Sequence, residues 1–239
     1  MQHPSLEDIE ALNSMTLQVG LLGSDGIVLA SDRLVSQWEG AGFSQIRTSK
    51  MLQGDGVLCC YSGDLVSEHA ANNIRSLRFA GGKEHVRDAL KDAANRAWQD
   101  IGIPGELHEW QPTRKVIVAL WRPALALWVV HVSPRSTANE VLDKVIAGDD
   151  KNTARHFFNN YVPYPPAPVD DLIGLAAHIV LTGGKENPSG VKWLEVAIVP
   201  KDGSPVFLSE EQEVDLERLS DDLDLTIKHK LSRPFCWRE

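Results

Sequence analysis

The feature that most constrains the fold of this chain is a pair of short apolar segments joined by an Asp-Gly turn. The segments flank Ser24-Asp25-Gly26, and an Asp-Gly turn between apolar runs is the strongest short-range signal of a β-hairpin. The first strand starts at Thr16 and the second ends at Asp32. Because the outer ends of an antiparallel pair lie side by side, Thr16 and Asp32 are expected to be neighbours. A hydroxyl beside a carboxylate indicates a nucleophile with electrostatic support.

The composition fits a globular protein with a sizeable core. Of 239 residues, 43% are hydrophobic and 24% charged, and this length favours one domain. The net charge of −9, with no basic stripe, argues against a nucleic-acid partner. Lys and Arg interrupt every apolar run before it could span a bilayer, and the acidic N-terminus has no apolar signal region. We expect a cytoplasmic protein with no nucleic-acid and no membrane partner.

The cysteines and histidines give no sign of a metal site. Cys59 and Cys60 are adjacent on a predicted strand and Cys236 stands alone; an odd, irregular set argues against a disulfide framework or a zinc site. The histidines are scattered without metal-ligand spacing. We therefore expect no metal and no cofactor.

Along the chain, runs of strands alternate with pairs of helices. This order predicts sheets with helices packed outside them rather than a βαβ winding. The predicted strands are Gln45–Lys50, Val57–Tyr61, Lys115–Trp121, Ala124–Val132, Val191–Pro200 and Val206–Leu208, with a polar loop over 36–45. The predicted helices are 5–13, two from Leu65 onward separated by Gly81-Gly82, one near 151–160, Asp170–Thr182 ending at Gly183-Gly184, and the acidic tail over 209–230.

Four residues of the chain, taken in order, could form a catalytic site. A threonine hydroxyl is a poor nucleophile until a base takes its proton, and the α-amino group of an N-terminal threonine can be that base. A nearby lysine would lower the proton affinity of the amine, and an aspartate would hold the lysine. A backbone N–H at a glycine turn would receive the developing oxyanion. The chain offers Thr16, Asp32, Lys50 and Gly63 for these roles.

These residues lie in motifs that resemble those of proteasome-type β subunits and their bacterial relatives, which are N-terminal nucleophile (Ntn) hydrolases. The motifs are Thr16-x-x-Val19-Gly20, the run Asp25–Arg33, Ser49-Lys50 and Tyr61-Ser62-Gly63-Asp64. The spacing from Thr16 to Asp32 matches without gaps, whereas Lys50 needs a small insertion. The resemblance is strong over 16–75, weaker over 115–200, and absent from the first fifteen residues and the acidic tail.

The resemblance implies an α+β fold, a four-layer αββα sandwich of two antiparallel sheets between helix layers. It also implies that the segment Glu186-Asn187-Pro188-Ser189-Gly190 supports the catalytic amine, so Ser189 and Glu186 join the candidate site residues. In the family an aspartate stands where this chain has Glu186. This chain therefore departs from the family pattern at that position.

The fifteen residues before Thr16 decide whether its nitrogen is an amine or an amide. We divide the chain into an N-terminal extension (1–15), an Ntn hydrolase domain (16–208) and an acidic C-terminal tail packed on it (209–239). Self-cleavage could expose Thr16, although Met15 stands where family propeptides usually carry glycine. Translation could instead start at Met15, which is the route we favour. In a third route the extension stays, and its helix would resemble that of non-catalytic α subunits.

The sequence predicts a threonine-type Ntn hydrolase, a peptidase in a homo-oligomeric ring that acts on peptide or unfolded-protein substrates. The resemblance also allows an ATPase unfoldase as a partner. Two alternatives stay open, a non-catalytic ring or scaffold subunit and a small-molecule amidase on the same fold. A ring-sized assembly would favour the peptidase, and a monomer or dimer the amidase.

Overall fold

The computed structural model of the protein describes residues 16–39, 42–61, 65–101, 114–148, 153–164, 166–188 and 191–231. Within these ranges the chain forms twelve strands and five helices. The strands are β1 Leu17–Leu22, β2 Gly26–Asp32, β3 Leu34–Glu39, β4 Gly42–Arg47, β5 Met51–Gln53, β6 Val57–Tyr61, β7 Lys115–Leu120, β8 Ala126–His131, β9 Thr137–Val141, β10 Lys144–Gly148, β11 Leu194–Pro200 and β12 Val206–Phe207. The helices are α1 Leu65–Arg75, α2 Lys83–Ile101, α3 Thr153–Tyr161, α4 Val169–Glu186 and α5 Glu210–Leu231.

The strands form two five-stranded antiparallel sheets and a separate hairpin. The first sheet has the order β10-β1-β2-β11-β12, the second has the order β5-β6-β7-β8-β9, and β3 pairs with β4. The predicted hairpin is confirmed as β1 and β2, paired from Gln18 opposite Ser31 to Leu22 opposite Ile27.

The two sheets face each other, and helices cover their outer faces. Alternate residues of β1 and β2, such as Leu17, Val19 and Val28, pack against α3 and α4, because successive side chains of a strand point to opposite faces. The second sheet packs against α1 and α2. A third core, which includes Leu29, lies between the sheets. This is the four-layer αββα arrangement expected from the sequence.

The turn of the first hairpin also fixes the start of α4. Asp25 accepts a hydrogen bond through Oδ1 from the backbone N–H of Val169, at 2.9 Å. Pro168, at the N-cap position, makes no side-chain cap. An unpaired first-turn N–H of α4 is therefore satisfied by a carboxylate from the β1–β2 turn.

Three local expectations outside the active site were wrong. The segment over 36–45 belongs largely to the β3–β4 hairpin, whose backbone pairing gives a polar segment its hydrogen bonds. The segment over 133–148, to which the sequence assigned no strand, contains β9 and β10. Helix α4 continues through Gly183-Gly184 to Glu186. A Cβ on Gly183 would lie 2.4 Å from Leu17 Cδ2, so this glycine allows α4 to pack closely on β1 and does not end the helix.

The remaining elements agree closely with the sequence. Gly81-Gly82 separates α1 from α2, and the helix of the acidic tail forms as α5, which packs on α4. The predicted helix over 5–13 lies outside the described residues, as do the candidate site residues Gly63 and Ser189.

Candidate active site

Thr16, Asp32 and Lys50 meet at one end of the space between the two sheets. Lys50 Nζ donates a hydrogen bond to Thr16 Oγ1 at 2.7 Å. The same nitrogen lies 2.7 Å from Asp32 Oδ2, in a salt bridge whose two side chains are fully buried. Thr16 itself is 3% exposed. The lysine thus lies between the hydroxyl of Thr16 and the carboxylate of Asp32 and contacts both.

Asp32 joins the ends of three segments through its two oxygens. Oδ1 accepts the backbone N–H of Leu17 at 3.0 Å, and Oδ2 accepts that of Leu34 at 3.0 Å in addition to Lys50. Charge-assisted hydrogen bonds of this kind are stronger than neutral ones. Asp32 therefore fixes the residue after Thr16 as well as the lysine.

Lys50 reaches the site from the second sheet. It directly precedes β5, and its carbonyl accepts a hydrogen bond from Tyr61 N at 3.1 Å, which extends the pairing of β5 with β6. Its side chain crosses the interface between the sheets to meet Thr16. Lys50 was expected on a strand from Gln45 to Lys50, but that strand ends at Arg47.

The charges of the site are shifted by burial. Burial lowers the pKa of Lys50, and the attraction of Asp32 opposes that shift. Burial likewise raises the pKa of Asp32, opposed by Lys50 and by the backbone N–H groups of Leu17 and Leu34. An ammonium that is easier to deprotonate than an exposed one, touching a hydroxyl, is suited to proton transfer.

A glycine of the neighbouring strand allows the close packing around Thr16. Gly148 ends β10, opposite Leu17, and has a φ of +94°. A Cβ at this position would lie 1.6 Å from the carbonyl oxygen of Thr16. Only glycine combines this backbone conformation with such an approach. Sequence reasoning did not single out Gly148, since its importance depends on a pairing between distant segments.

A second buried carboxylate, Glu195, lies on the other side of Lys50. Glu195 Oε1 accepts the hydroxyl of Ser49 at 2.7 Å, and Oε2 accepts the backbone N–H of Lys50 at 3.2 Å. Arg33 Nε lies 3.8 Å from Oε1. The sequence reading missed this residue, and the signal that could have found it is a lone carboxylate within the apolar strand Leu194–Pro200.

Among the described residues, the contacts of Glu186 lie away from Thr16, Asp32 and Lys50. Its Oε1 accepts hydrogen bonds from the backbone N–H and from the hydroxyl of Thr153, at the start of α3. Glu186 is exposed at the end of α4. The structure thus brings together Thr16, Asp32 and Lys50, and it gives Glu186 a partner on a neighbouring helix.

A cavity of about 400 Å³ lies between α4, α5 and the segment leading into β11. Trp193 contributes to its wall with a φ of +59°, but Thr16, Asp32 and Lys50 do not line it. Over the described ranges no group of His, Cys, Asp or Glu is arranged to hold a metal ion. The same ranges contain no helix that is both long and apolar enough to cross a membrane.

Solved structures of Anbu proteins are similar to this chain, whereas no family model and no curated protein matches it. Anbu (ancestral beta-subunit) from Yersinia bercovieri superposes with a TM-score of 0.70 at 13% identity, covering 93% of this chain and 99% of its own. Anbu from Hyphomicrobium sp. strain MC1 gives 0.69 at 12%, and the helical assembly of the Anbu complex from Pseudomonas aeruginosa gives 0.69 at 13%. Each of these two comparisons covers 93% of this chain and 100% of the other. The chain therefore has the Ntn-like fold of these Anbu proteins.

Proposed function

We propose that this protein is a threonine-type Ntn hydrolase that cleaves amide bonds with Thr16 as its nucleophile. The observation that carries the proposal is the position of Lys50 Nζ, 2.7 Å from both Thr16 Oγ1 and Asp32 Oδ2. A buried lysine that contacts a hydroxyl and is held by a carboxylate is an arrangement that activates a nucleophile. The likeness to the Anbu structures supports the fold on which this chemistry rests.

In the proposed mechanism Thr16 Oγ1 attacks the carbonyl carbon of the substrate. The α-amine of Thr16 takes the hydroxyl proton and passes it to the leaving amine, and water then hydrolyses the ester that remains. Lys50 tunes the amine electrostatically and Asp32 holds Lys50. The backbone N–H of Gly63 receives the oxyanion. Ser189 and Glu186 keep their proposed role of supporting the amine, and for Glu186, whose carboxylate is bonded to Thr153, this support would be indirect.

This mechanism requires that the bond between Met15 and Thr16 is broken. While residues 1–15 are attached, the nitrogen of Thr16 is an amide and cannot act as a base. Intact-mass analysis of the native protein tests this requirement. A chain that begins at Thr16 supports the hydrolase, whereas retention of Met1 or Gln2 supports the non-catalytic subunit.

Replacement of the nucleophile tests the activity itself. Thr16→Ala should lower turnover of fluorogenic amide substrates about a thousandfold or more, because loss of a nucleophile removes the covalent route. Thr16→Ser, which retains a hydroxyl, should retain measurable turnover. Thr137→Ala, an exposed threonine on β9, is the matched control and should behave as wild type. Undiminished turnover in Thr16→Ala would exclude the mechanism.

The substrate class and the assembly belong to the same proposal. We propose a homo-oligomeric ring that acts on peptides or unfolded proteins, with an ATPase unfoldase as a compatible partner. The Anbu complex of Pseudomonas aeruginosa forms a helical assembly, which supports assembly of this chain into a multimer. Size-exclusion chromatography with light scattering separates the alternatives, since a monomer or dimer would favour the small-molecule amidase.

A further inference from the structure

We propose that Glu195 is a positioning residue of the active site, which holds the Lys50 segment in place and links it to helix α5. This inference rests on the proposed function, because it concerns the lysine that serves Thr16. Among the described residues, Glu195 contacts Ser49, Lys50 and Arg33, so it would act on the nucleophile through Lys50.

Glu195 lies on β11 of the first sheet, and its carboxylate points toward the second sheet. It lies opposite Ser31 on β2, and its strand neighbours Leu194 and Val196 pack against the helices. By the alternation of a strand, Glu195 shares the face of Ala197, which packs between the sheets. The carboxylate is 3% exposed and meets the chain where it enters β5.

The hydrogen bonds of Glu195 fix backbone rather than a flexible side-chain end. Lys50 N–H and the Ser49 hydroxyl both donate to the carboxylate. The position of the Lys50 main chain determines where its ammonium lies relative to Thr16 and Asp32. Two carboxylates thus hold this segment. Asp32 binds the Lys50 ammonium, and Glu195 binds the Lys50 backbone N–H.

A series of side chains of alternating charge connects Glu195 to helix α5. Arg33 lies between the two carboxylates, 3.8 Å from Glu195 Oε1 and 2.9 Å from Glu213 Oε1 on α5. Arg47 contacts the other oxygen of Glu213 at 3.8 Å. The first turn of α5 is therefore linked to the backbone of Lys50 by buried or half-buried charges.

The charge of Glu195 also acts on the ionisation of the site. Among the described residues, the titratable groups that influence Lys50 are Asp32, Cys60 and Glu195. Burial raises the pKa of Glu195, whereas Ser49, Arg33 and Lys50 oppose this. Loss of its negative charge would leave Arg33 less compensated and would lower the pKa of Lys50 further.

The test compares Glu195→Gln with Glu140→Gln, a partly buried carboxylate on β9 that pairs with Lys83 at 2.9 Å. Glutamine can accept from Lys50 N–H and donate to Ser49 Oγ, so the variant removes chiefly the charge. We expect a loss of about tenfold or more in kcat with little change in KM. Glu140→Gln should match wild type in both.

Nuclear magnetic resonance of the ¹³Cε-labelled lysines, with Lys50 assigned by Lys50→Arg, gives a readout that does not need turnover. The titration of Lys50 should move to lower pH in Glu195→Gln and stay in place in Glu140→Gln. An unchanged Lys50 titration in Glu195→Gln overturns the inference. If Glu195→Gln does not fold, Glu195→Asp decides: a lowered kcat with retained thermal stability supports the role, and an unchanged kcat overturns it.

Thr16→Ala in the same assay separates this inference from the proposed function. If turnover survives in Thr16→Ala, the proposed function fails and the inference fails with it. If turnover depends on Thr16 while Glu195→Gln equals its control, only the role of Glu195 is refuted.

Discussion

At the scale of single residues, Gly148 shows how closely the backbone is packed around Thr16. Gly148→Ala would place a methyl group 1.6 Å from the Thr16 carbonyl oxygen at a φ of +94°, so β10 or Thr16 must move. We expect destabilisation by about 2–3 kcal/mol and loss of activity by about tenfold or more, because small displacements of a nucleophile are costly.

Denaturant unfolding and the amide-hydrolysis assay measure both effects of Gly148→Ala. The matched control is Gly82→Ala, where an added methyl group meets open space. That variant should leave turnover unchanged. Wild-type turnover and stability in Gly148→Ala would contradict the close approach described for this glycine.

The same scale shows which site residues the sequence could reveal. Thr16 and Asp32 bracket a hairpin whose turn is visible locally, so their proximity follows from one short segment. Lys50 was predicted from the Ser49-Lys50 motif. Glu195 and Gly148 act through partners more than a hundred residues away, and no local pattern encodes such pairings. Gly63 and Ser189 stay predictions.

At the scale of secondary-structure elements, a buried histidine joins α4 to α5. His178 Nδ1 lies 2.8 Å from Ser220 Oγ, and its ring packs edge-on against Phe157 at 4.4 Å. Nε2 is buried and has no hydrogen-bond partner among the described residues. Burial lowers the pKa of His178, Asp224 opposes the shift and Lys185 adds to it. The packing of these helices therefore favours the neutral imidazole.

This burial makes the stability of the fold dependent on pH. Between the lowered folded pKa and the ordinary value of 6.5, the unfolded chain binds more protons, so the free energy of unfolding falls as the pH falls. His178→Gln should remove the contribution of this residue to the slope, which is at most about 1.4 kcal/mol per pH unit. Urea unfolding of both proteins from pH 8 to pH 5 checks it. His85→Gln, at an exposed position, should keep the wild-type slope; an equal slope in His178→Gln would refute the assignment.

Elements were predictable where periodicity was strong and uninterrupted. Apolar alternation was sufficient to predict strands β1, β2, β7 and β8, and the helical period of apolar residues was sufficient to predict α2. Helix α4 was cut short because Gly183-Gly184 carries the usual sign of a helix end, whereas close packing against Leu17 explains Gly183. Strands β9 and β10 carry polar and charged residues and form through pairing with β8 and β1.

At the scale of the whole molecule, two adjacent cysteines lie in two different hydrophobic cores and can serve as probes of them. Cys59 lies in the core beneath α1 and α2, and Cys60 lies in the core between the sheets. Burial raises the pKa of both thiols, which suppresses the reactive thiolate. In a Cys236→Ser background, both should be alkylated about a thousandfold more slowly than in the unfolded chain.

Mass spectrometry of peptides from partially labelled protein gives the two rates separately. Equal rates that rise together with denaturant are expected if the layers open as one cooperative unit. Faster labelling of Cys60 than of Cys59 would mean that the sheets part before the helix layer leaves, and would contradict this expectation.

The path of Lys50 across the interface between the sheets has a mechanical consequence. Thr16 and Asp32 move with one sheet and the lysine with the other, and they meet over 2.7 Å. A slide of one sheet past the other by a single residue, about 3.3 Å, is larger than that contact. Small shear of the sandwich would therefore disconnect the nucleophile while every strand stayed folded. The apolar side chains between the sheets, such as Leu29 and Ile117, thus set the alignment of the reactive atoms.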